Sequence, residues 1–341
     1  MSQIASTVET TGRSLSPVSR PALRLVKTND LSREEWLTVR MKGIGSSDAA
    51  AAVGLNPYCS QLELWMVKTS RQHLLPQDDP NDEASPMYWG TLLEPIVAAH
   101  YTKRTGNKVR RVNAVLQHPD QPWMLANIDR EVVGCDDVQI LECKTAGLNG
   151  ARLWKDGVPE YIQLQVMHQL AVTGKQAADV AVLICGQELQ VHRIERNEAM
   201  IAQLMALEQQ FWEMVTSDQQ PDADGSDSAD LALRCLYPKD AGNTVDWKAD
   251  PSMSALFGDL LDIRTQLSKY QEQESQIKQS IQQAMGHASV AKFETGSVSW
   301  KKAKESSSLD TKKLTQDHPD LVATYSQTKA GSRRFLVQAK E

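Results

Sequence analysis

Two apolar stretches, residues 123–133 and 138–144, are rich in Ile, Val and Leu, with a few charged residues set among the apolar ones. Between them lies Gly-Cys-Asp-Asp, a composition typical of a turn. The pattern therefore predicts a β-hairpin with a four-residue loop, in which Glu131 faces Ile140 across the ladder.

The charged residues of this hairpin are expected to cluster. Asp129 falls opposite Glu142 in the same register, and Lys144 shares the face of Glu142 because side chains alternate along a strand. Charges in apolar surroundings are usually paired or bound to a metal ion. The spacing by itself leaves two interpretations open: a salt-bridged hairpin surface or a metal site.

The rest of this region alternates between helical and strand patterns. Capping boxes at Ser32 with Glu35 and at Ser60 with Glu63 predict the starts of two helices. Further helices are predicted over residues 89–105, 161–173 and 197–216, and further strands over residues 177–185 and 188–194. This order predicts an α/β fold in which a central mixed sheet is flanked by helices.

Composition divides the chain into four segments. Residues 1–26 lack the apolar core of a signal peptide and are predicted to be a disordered arm, in preference to a transit peptide. Residues 27–216 form the predicted core. Residues 217–230 carry five aspartates among Ser, Pro and Gly, which indicates an acidic linker. Residues 231–341 form a helical and β-hairpin extension.

Within the extension, residues 252–285 follow a heptad pattern interrupted by Glu274, which predicts a coiled coil or a helical hairpin. A β-hairpin is predicted from residues 290–293 and 297–301, and a third strand is predicted at residues 333–338. This end is basic and would suit a DNA backbone or an acidic partner, although a merely solvated face explains it equally well.

The bulk composition is that of a soluble globular protein, with 41% hydrophobic and 23% charged residues. No apolar run approaches the roughly 20 residues that span a bilayer. The five cysteines form no C-x-x-C pair, so a cytoplasmic protein is predicted. The net charge of -6 gives no general support for nucleic-acid binding, which would have to depend on local basic patches and metal ions.

Two further segments offer candidate chemistry. Small and hydroxyl residues at positions 43–48 lead into an Ala-rich stretch, where an anion could bind with help from Arg40; by itself the segment favours a capped packing helix. Glu94 would either complete a capping box with Thr91 or serve a metal site. Gln163 and Gln165 are two residues apart, so at most one can point fully into a site.

Taken together, these residues resemble the YqaJ-type phage recombination exonucleases, which include lambda exonuclease, within the PD-(D/E)XK nuclease superfamily. The resemblance covers about residues 31–215. Four blocks carry it in order: Glu-Glu-Trp-Leu-x-x-Arg at 34–40 with Gly-Ser-Ser at 45–47, Trp-Gly-x-x-x-Glu at 89–94, Asn-Ile-Asp at 127–129 with Glu-Cys-Lys at 142–144, and Tyr-x-Gln-x-Gln at 161–165. Ile128 replaces the nominal proline of the motif.

The resemblance implies a restriction-endonuclease-like core and a site for Mg²⁺, or Mn²⁺ as a substitute, with two ions per site. The implied ligands are Asp129, Glu142, the Cys143 backbone carbonyl and Glu94. Lys144 would orient or deprotonate water, with its pKa lowered by the cation, and Gln163 would position water or the phosphate. Arg40 and Ser47 would hold a 5′ phosphate. Further candidates are Asn127, Tyr161, Gln165 and Arg152.

The implied activity is 5′→3′ degradation of one strand of linear duplex DNA in the cytoplasm of a bacterium or phage-infected host. The 3′ single-stranded tails would pass to a single-strand annealing protein, and a ring-shaped homo-oligomer would enclose the DNA. The same core would also suit a structure- or sequence-specific endonuclease. Non-enzymatic alternatives are a DNA-end binding module and an α/β protein with a salt-bridged hairpin.

Overall fold

The computed structural model describes residues 21–29, 31–77, 79–328 and 331–339. Its contacts separate one unit that ends at Tyr237 from a second that begins at Pro238. The helix starts of the first unit follow local capping signals: Ser32 and Glu35 form the predicted reciprocal capping box, and the Ser60 hydroxyl accepts the Glu63 backbone N–H. The capping box at Ser32 is confirmed. At Ser60 the predicted helix start is confirmed, but the box is not closed: the Ser60 backbone N–H donates to the Ser228 hydroxyl, which in turn donates to the Glu63 carboxylate.

The strands of the first unit are β1 (Leu23–Lys27), β2 (Ile44–Gly45), β3 (Lys108–Arg111), β4 (Ala114–Gln117), β5 (Met124–Ala126), β6 (Arg130–Val133), β7 (Ile140–Ala146), β8 (Ala177–Ile184) and β9 (Glu188–Glu195). The α-helices are α1 (Arg33–Arg40), α2 (Ala49–Ala52), α3 (Gln61–Lys68), α4 (Pro86–Thr105), α5 (Glu160–Thr173), α6 (Glu198–Thr216) and α7 (Asp227–Leu236). Short 3₁₀ turns cover Ser46–Asp48, Gln72–Leu74 and Ala151–Trp154.

These strands form two mixed sheets. The larger has the order β3-β6-β7-β8-β9, and the smaller has the order β1-β4-β5-β2. The β7–β8 and β2–β5 pairs are parallel, and the other pairs are antiparallel. Helix α5 connects the parallel strands β7 and β8, as a crossover connection requires. The predicted mixed α/β fold is confirmed, with two sheets in place of one.

Helices α4 and α5 pack on opposite faces of the larger sheet. Leu141 and Cys143 of β7 lie in the apolar cluster that includes Tyr101 of α4. Ile140 lies in the cluster on the α5 side. Because side chains alternate along β7, Glu142 also faces α5. One face of this strand is therefore purely core, and the other carries the candidate chemistry.

The register of the central hairpin is the predicted one where it is paired, since Glu131 lies opposite Ile140. Asp129 lies just before β6, outside the ladder. Its position is set by the turn that leads from β5 into β6, so its distance to Glu142 depends on the tertiary structure rather than on strand pairing.

Two predicted boundaries differ from the structure. Part of the predicted N-terminal arm forms β1, which pairs with β4; residues 1–20 lie outside the described residues. Part of the predicted linker forms α7, which packs against α3 through the buried Ala232 and a 2.7 Å hydrogen bond from the Ser60 backbone to the Ser228 hydroxyl. The first unit thus extends past residue 216 because α7 covers apolar surface of α3.

The second unit contains α8 (Pro251–Met285), the hairpin β10 (Val290–Phe293) and β11 (Gly296–Ser299), α9 (Thr311–Asp317) and α10 (Pro319–Tyr325). The predicted long helix and hairpin are confirmed. The prediction of a third strand at residues 333–338 is wrong, since the described residues 331–339 contain no strand. Helix α8 buries none of its residues, and its coiled-coil pairing stays a prediction. Across the described ranges, no helix is long and apolar enough to cross a membrane.

Candidate active site

Glu142 is a buried charged group on the face of β7 that packs against α5, with 2% of its surface exposed. Its Oε1 lies 2.7 Å from the Lys144 Nζ and accepts a 2.5 Å hydrogen bond from the Gln165 side chain. Its Oε2 accepts a 2.7 Å hydrogen bond from the Gln169 side chain. These donors hold a buried negative charge in one orientation, which a buried carboxylate requires.

The glutamines that contact Glu142 come from one face of α5. Gln165 and Gln169 are four residues apart, so their side chains lie above one another on the helix. Gln163 instead donates to the Val158 carbonyl oxygen at 2.6 Å. Side chains two positions apart on a helix point in directions that differ by about 200°, so Gln163 and Gln165 do not face the same group. The structure therefore corrects the expected placement of Gln163: Gln165 occupies that position. Gln169 was not predicted, although its spacing from Gln165 was visible in the sequence.

Asp129 approaches the same site from the turn before β6. Its Oδ2 accepts a 2.8 Å hydrogen bond from the Cys143 backbone N–H. Burial and the nearby Glu142 carboxylate raise the pKa of Asp129 to about 8, while the Lys144 ammonium opposes the rise. Two carboxylates close enough to repel one another in a partly buried site are an arrangement that a cation stabilises.

Lys144 is partly buried and bridges Glu142 to α5, since its Nζ also donates to the Gln165 side-chain oxygen at 3.1 Å. Burial disfavours its charged form, but the Glu142 and Asp129 carboxylates outweigh burial, and the pKa of Lys144 is raised. The predicted lowering of this pKa depends on the field of a bound cation and stays a prediction.

Glu94 does not cap its helix. Helix α4 begins earlier than predicted, with Ser85 as its N-cap, and the Thr91 hydroxyl donates to the Met87 carbonyl oxygen. The Glu94 Oε1 is 2.5 Å from the Arg130 Nη1, which also donates to the Asp129 carbonyl oxygen at 2.6 Å. Arg130 thus joins Glu94 to the turn that carries Asp129. Sequence reasoning missed Arg130, although it directly follows Asp129.

The donor chemistry of this site fits a hard divalent cation, which prefers oxygen ligands. Asp129 and Glu142 supply carboxylate oxygens, and the buried Gln169 Oε1 has no hydrogen-bond partner among the residues that the structure describes. The Cys143 thiol lies in the core on the opposite face, and burial together with Asp129 raises its pKa, so only its backbone can serve the site. In the described part of the chain, no three His, Cys, Asp or Glu side chains converge as a ready cation site.

Arg40 and Ser47 meet in a second pocket, as their predicted joint role requires. The Arg40 Nη2 donates to the Ser47 hydroxyl at 2.5 Å and to the Asp48 Oδ1 at 2.7 Å. The Trp36 ring lies 4.8 Å from the guanidinium carbon. No described residue accepts a hydrogen bond from Nη1 of Arg40, so that side of the fork remains available to an anion.

Asp48 and Lys68 hold Arg40 in place, and sequence reasoning missed both. The Lys68 Nζ lies 2.6 Å from the Asp48 Oδ2 and donates to the Arg40 carbonyl oxygen at 3.0 Å. Burial opposes ionisation of Asp48, but Arg40 and Lys68 outweigh it and lower its pKa. Gly45 leaves room for this contact, since a Cβ there would lie 3.2 Å from the Arg40 Nη2. Asp48 directly follows Ser47, whereas nothing in the sequence pointed to Lys68.

The other candidates surround these two pockets. The Asn127 side chain donates to the Ala114 carbonyl oxygen. The backbone carbonyl oxygen of Asn127 accepts a hydrogen bond from the Gln169 side chain at 3.3 Å. Burial raises the pKa of Tyr161 and the nearby Lys144 ammonium opposes that rise. Arg152 is exposed on a 3₁₀ turn and lines a shallow pocket together with Tyr161. Tyr161 and Arg152 thus border the site, and Asn127 contributes its backbone to it.

Comparison with known proteins places this site in a family. A model described as a YqaJ-like viral recombinase domain matches residues 35–176. Over 308 residues the chain is 37% identical to a protein of Bacillus subtilis (strain 168) described as uncharacterized protein YqaJ, covering 89% of this chain and 93% of that one. The chain belongs to the YqaJ family. The matched residues 35–176 contain every side chain of the carboxylate site and of the Arg40 pocket.

Solved structures also match this YqaJ family member. An alkaline exonuclease from Laribacter hongkongensis superimposes with a TM-score of 0.46 at 24% identity, covering 55% of this chain and 94% of that chain. A phage-related exonuclease from Haemophilus somnus 129PT superimposes with a TM-score of 0.34 at 10% identity, covering 52% of this chain and 96% of that chain.

Proposed function

We propose that this YqaJ family member is a metal-dependent exonuclease that degrades one strand of linear duplex DNA from the 5′ end and leaves 3′ single-stranded tails. The observation that carries the proposal is the buried Glu142, paired with Lys144 and close to Asp129. The family description as a viral recombinase domain supports an action on DNA.

Phosphodiester hydrolysis needs an activated water and neutralisation of the charge that develops on phosphorus and the leaving oxygen. A bound Mg²⁺, or Mn²⁺ as a substitute, would supply that neutralisation and acidify water. Asp129, Glu142 and the Cys143 backbone carbonyl are the proposed ligands. Glu94 would join a second ion only after leaving Arg130, so it ranks behind them.

The side chains around Glu142 have distinct proposed roles. The Lys144 ammonium, held at fixed distances by Glu142 and Gln165, would orient the attacking water; it would accept a proton from that water only as the neutral amine, after a bound cation had lowered its pKa. Gln169 orients Glu142 from the other oxygen. The arrangement thereby fixes the water before the substrate arrives, which lowers the cost of reorganisation during the reaction.

The Arg40 pocket would give the reaction its direction. A terminal 5′ phosphate is proposed to bind Arg40 and Ser47, with Asp48 and Lys68 as positioning residues that hold the guanidinium. Arg152 is the candidate for a second phosphate contact. A site that recognises the end phosphate favours an exonuclease over the second candidate, an endonuclease on the same core. The catalytic residues are intact, which counts against a non-catalytic DNA-end binding module.

The proposal includes a cytoplasmic location, a single-strand annealing protein as partner and a ring-shaped homo-oligomer. The subunit count is testable by light scattering of the purified full-length chain.

The function is tested with end-labelled linear duplex DNA and closed circular DNA, each incubated with Mg²⁺ or with EDTA. We expect the linear DNA to be digested only with the metal, and the circle to stay intact. Cutting of the circle would instead support the endonuclease, and an inert wild-type protein with both Mg²⁺ and Mn²⁺ would contradict the nuclease assignment.

In the digestion assay, Arg40→Ala should lose the preference for 5′-phosphorylated over 5′-hydroxyl ends. The variant Lys42→Ala changes an exposed residue nearby and serves as the matched control.

The two glutamines of α5 give a sharper test of the site geometry. Gln165→Ala removes hydrogen bonds to both Glu142 and Lys144. The free energy of hydrogen bonds to charged groups predicts that this variant digests DNA roughly 10- to 100-fold more slowly. Gln163→Ala removes only a contact to the Val158 carbonyl oxygen and should stay within a few-fold of wild type. Single-turnover digestion rates of the two variants test which glutamine serves the site. If Gln163→Ala were the slower variant, the sequence-based assignment of Gln163 to the site would be correct.

A further inference from the structure

Helix α8 leaves a long apolar seam exposed to solvent. None of its 35 residues is buried. Leu256 is 61% exposed, Ile263 is 55% exposed and Ile277 is 62% exposed. Single exposed apolar side chains are ordinary on a protein surface, whereas a contiguous row of them usually marks a contact surface. The seam consists of Met253, Leu256, Leu260, Ile263, Leu267, Tyr270, Glu274, Ile277, Ile281 and Ala284.

The spacing of the seam is that of a supercoiled helix. From Met253 to Ala284, the intervals between successive members alternate between three and four residues, which gives a strict seven-residue repeat. An α-helix has about 3.6 residues per turn, so such a repeat keeps one face toward a neighbour only when the helices wind around each other. The seam therefore fits another long helix rather than a globular core.

The length of the seam identifies that helix. The seam extends about 47 Å at a rise of about 1.5 Å per residue. Helices α9 and α10 have seven residues each and reach only about 10 Å. Helix α4, with 20 residues, packs on the larger sheet. Among the described helices, only α8 itself has the length and the repeat of the seam, so its matching partner is α8 of another copy of this chain.

The charges that flank the seam favour a parallel arrangement of the copies. Asp259 directly precedes Leu260, and Arg264 directly follows Ile263. In a parallel coiled coil these two flanking positions face each other between neighbouring strands, so Asp259 of one copy meets Arg264 of the next. Within one helix the two side chains point about 140° apart and cannot pair. An antiparallel arrangement would separate them.

Glu274 is the charged member of the seam. The Lys278 Nζ lies 2.6 Å from the Glu274 Oε1 and balances its charge. An in-register parallel arrangement gathers these ion pairs in one layer, whereas a shift by one repeat would place Glu274 against Leu267 or Ile281. A single polar residue at such a position fixes the register of a coiled coil at a cost in stability.

We propose that α8 joins copies of this chain in a parallel, in-register coiled coil. Two such seams would bury an area on the order of the 1,200 to 2,000 Å² found at specific interfaces. The association needs neither DNA nor a cation, so it does not depend on the proposed nuclease function.

The test introduces a cysteine into α8 of the full-length chain. In the proposed arrangement Ile263 of one copy is adjacent to Ile263 of the next, whereas an antiparallel arrangement would place it beside Glu274. A disulfide requires Cα atoms within about 7 Å of each other. Oxidised glutathione should therefore join Ile263→Cys chains into a covalent dimer on a non-reducing gel. Thr265→Cys, on the opposite face of the helix, is the matched control and should give no more dimer than wild type.

Two pairs of substitutions are then made in the Ile263→Cys chain. Leu267→Glu with Ile277→Glu places charges in the seam and should raise the protein concentration needed for cross-linking by roughly 100-fold or more. Thr265→Glu with Gln279→Glu adds the same charges to the outer face of the helix and should leave cross-linking unchanged. Equal cross-linking by the two sets would show that the seam is not the contact.

The flanking charges give a separate test of direction in the same chain. Asp259→Arg should raise the concentration needed for cross-linking by roughly 2- to 10-fold, because like charges then flank the seam. Adding Arg264→Asp should restore it, since the pair is rebuilt with its signs reversed. Failure of the second substitution to restore cross-linking would overturn the parallel arrangement.

Equal cross-linking of Ile263→Cys and Thr265→Cys would overturn the coiled coil, and a helix of a different protein would become the better occupant of the seam. Digestion of linear duplex DNA with Mg²⁺ by the same proteins separates this proposal from the nuclease. If Ile263→Cys cross-links as expected while wild type digests nothing, the nuclease proposal fails and the coiled coil stands. If wild type digests DNA while Ile263→Cys gives no dimer, the coiled coil fails and the nuclease stands.

Discussion

Glu142→Gln is expected to slow the digestion of linear duplex DNA on the order of 10³-fold, because it removes a proposed metal ligand and the charge that holds Lys144. Both Glu142 oxygens accept hydrogen bonds, from Lys144, Gln165 and Gln169. An amide places a donor against at least one of these donors, so the isosteric change removes the negative charge and also disturbs the orientation of the site. Single-turnover digestion at saturating Mg²⁺ measures the effect.

The matched control is Glu131→Gln on the neighbouring strand. Glu131 forms an ion pair with Arg110 at 2.5 Å and lies opposite Ile140, outside the contacts of the carboxylate site. We expect near wild-type digestion from this variant and a thermal unfolding curve like that of wild type. If Glu142→Gln stays folded and digests DNA within a few-fold of wild type, Glu142 is not part of the catalytic machinery.

Glu208→Ala is expected to reduce the free energy of unfolding by about 3 to 5 kcal/mol, the usual consequence of removing one partner of a buried ion pair. Glu208 and His168 are both fully buried, with 2.7 Å between the Glu208 Oε1 and the His168 Nδ1. The His168 Nε2 lies 2.9 Å from the Leu125 carbonyl oxygen. Oxygens at both ring nitrogens favour the charged form of the imidazole, and the substitution removes the carboxylate that would balance that charge.

In a unit of this size, the loss corresponds to a melting temperature lower by roughly 6 to 20 °C. Glu213→Gln, an exposed position on the same helix α6, is the control and should change the unfolding free energy by less than about 0.5 kcal/mol. Equal melting temperatures for Glu208→Ala and Glu213→Gln would show that the buried pair contributes nothing to stability.

The same pair predicts a pH dependence of stability. Burial disfavours the charged imidazole, but Glu208 outweighs burial and raises the pKa of His168 above its usual value. A group whose folded pKa is raised contributes its full stabilisation below the unfolded pKa and loses it as pH rises through the folded pKa. As pH rises above the usual histidine pKa, urea unfolding should therefore show declining stability in wild type and a weaker decline in Glu208→Ala.

The local elements of this protein are determined by residues that are close in sequence. The capping box of Ser32 with Glu35 depends on a three-residue spacing. The pairing of Glu131 with Ile140 depends on the length of one turn and on side-chain alternation. The same alternation predicted that Glu142 and Lys144 share a face of one strand, and their 2.7 Å contact agrees with it.

Contacts between distant elements required the tertiary structure. The rotation of α5 about its own axis placed Gln165 rather than Gln163 against Glu142, and no local pattern records that angle. The pairing of Lys68 with Asp48 joins side chains 20 residues apart in the chain, from elements whose separation is set only by packing.

The sequence by itself therefore determined the mixed α/β class, the central hairpin and the types of group in the site, because alternation and capping act over a few residues. The tertiary structure alone decided which glutamine reaches Glu142 and how Arg130 engages Glu94. Those outcomes depend on how helices and sheets are oriented against one another, and that orientation results from the packing of the whole core rather than from any single stretch of the chain.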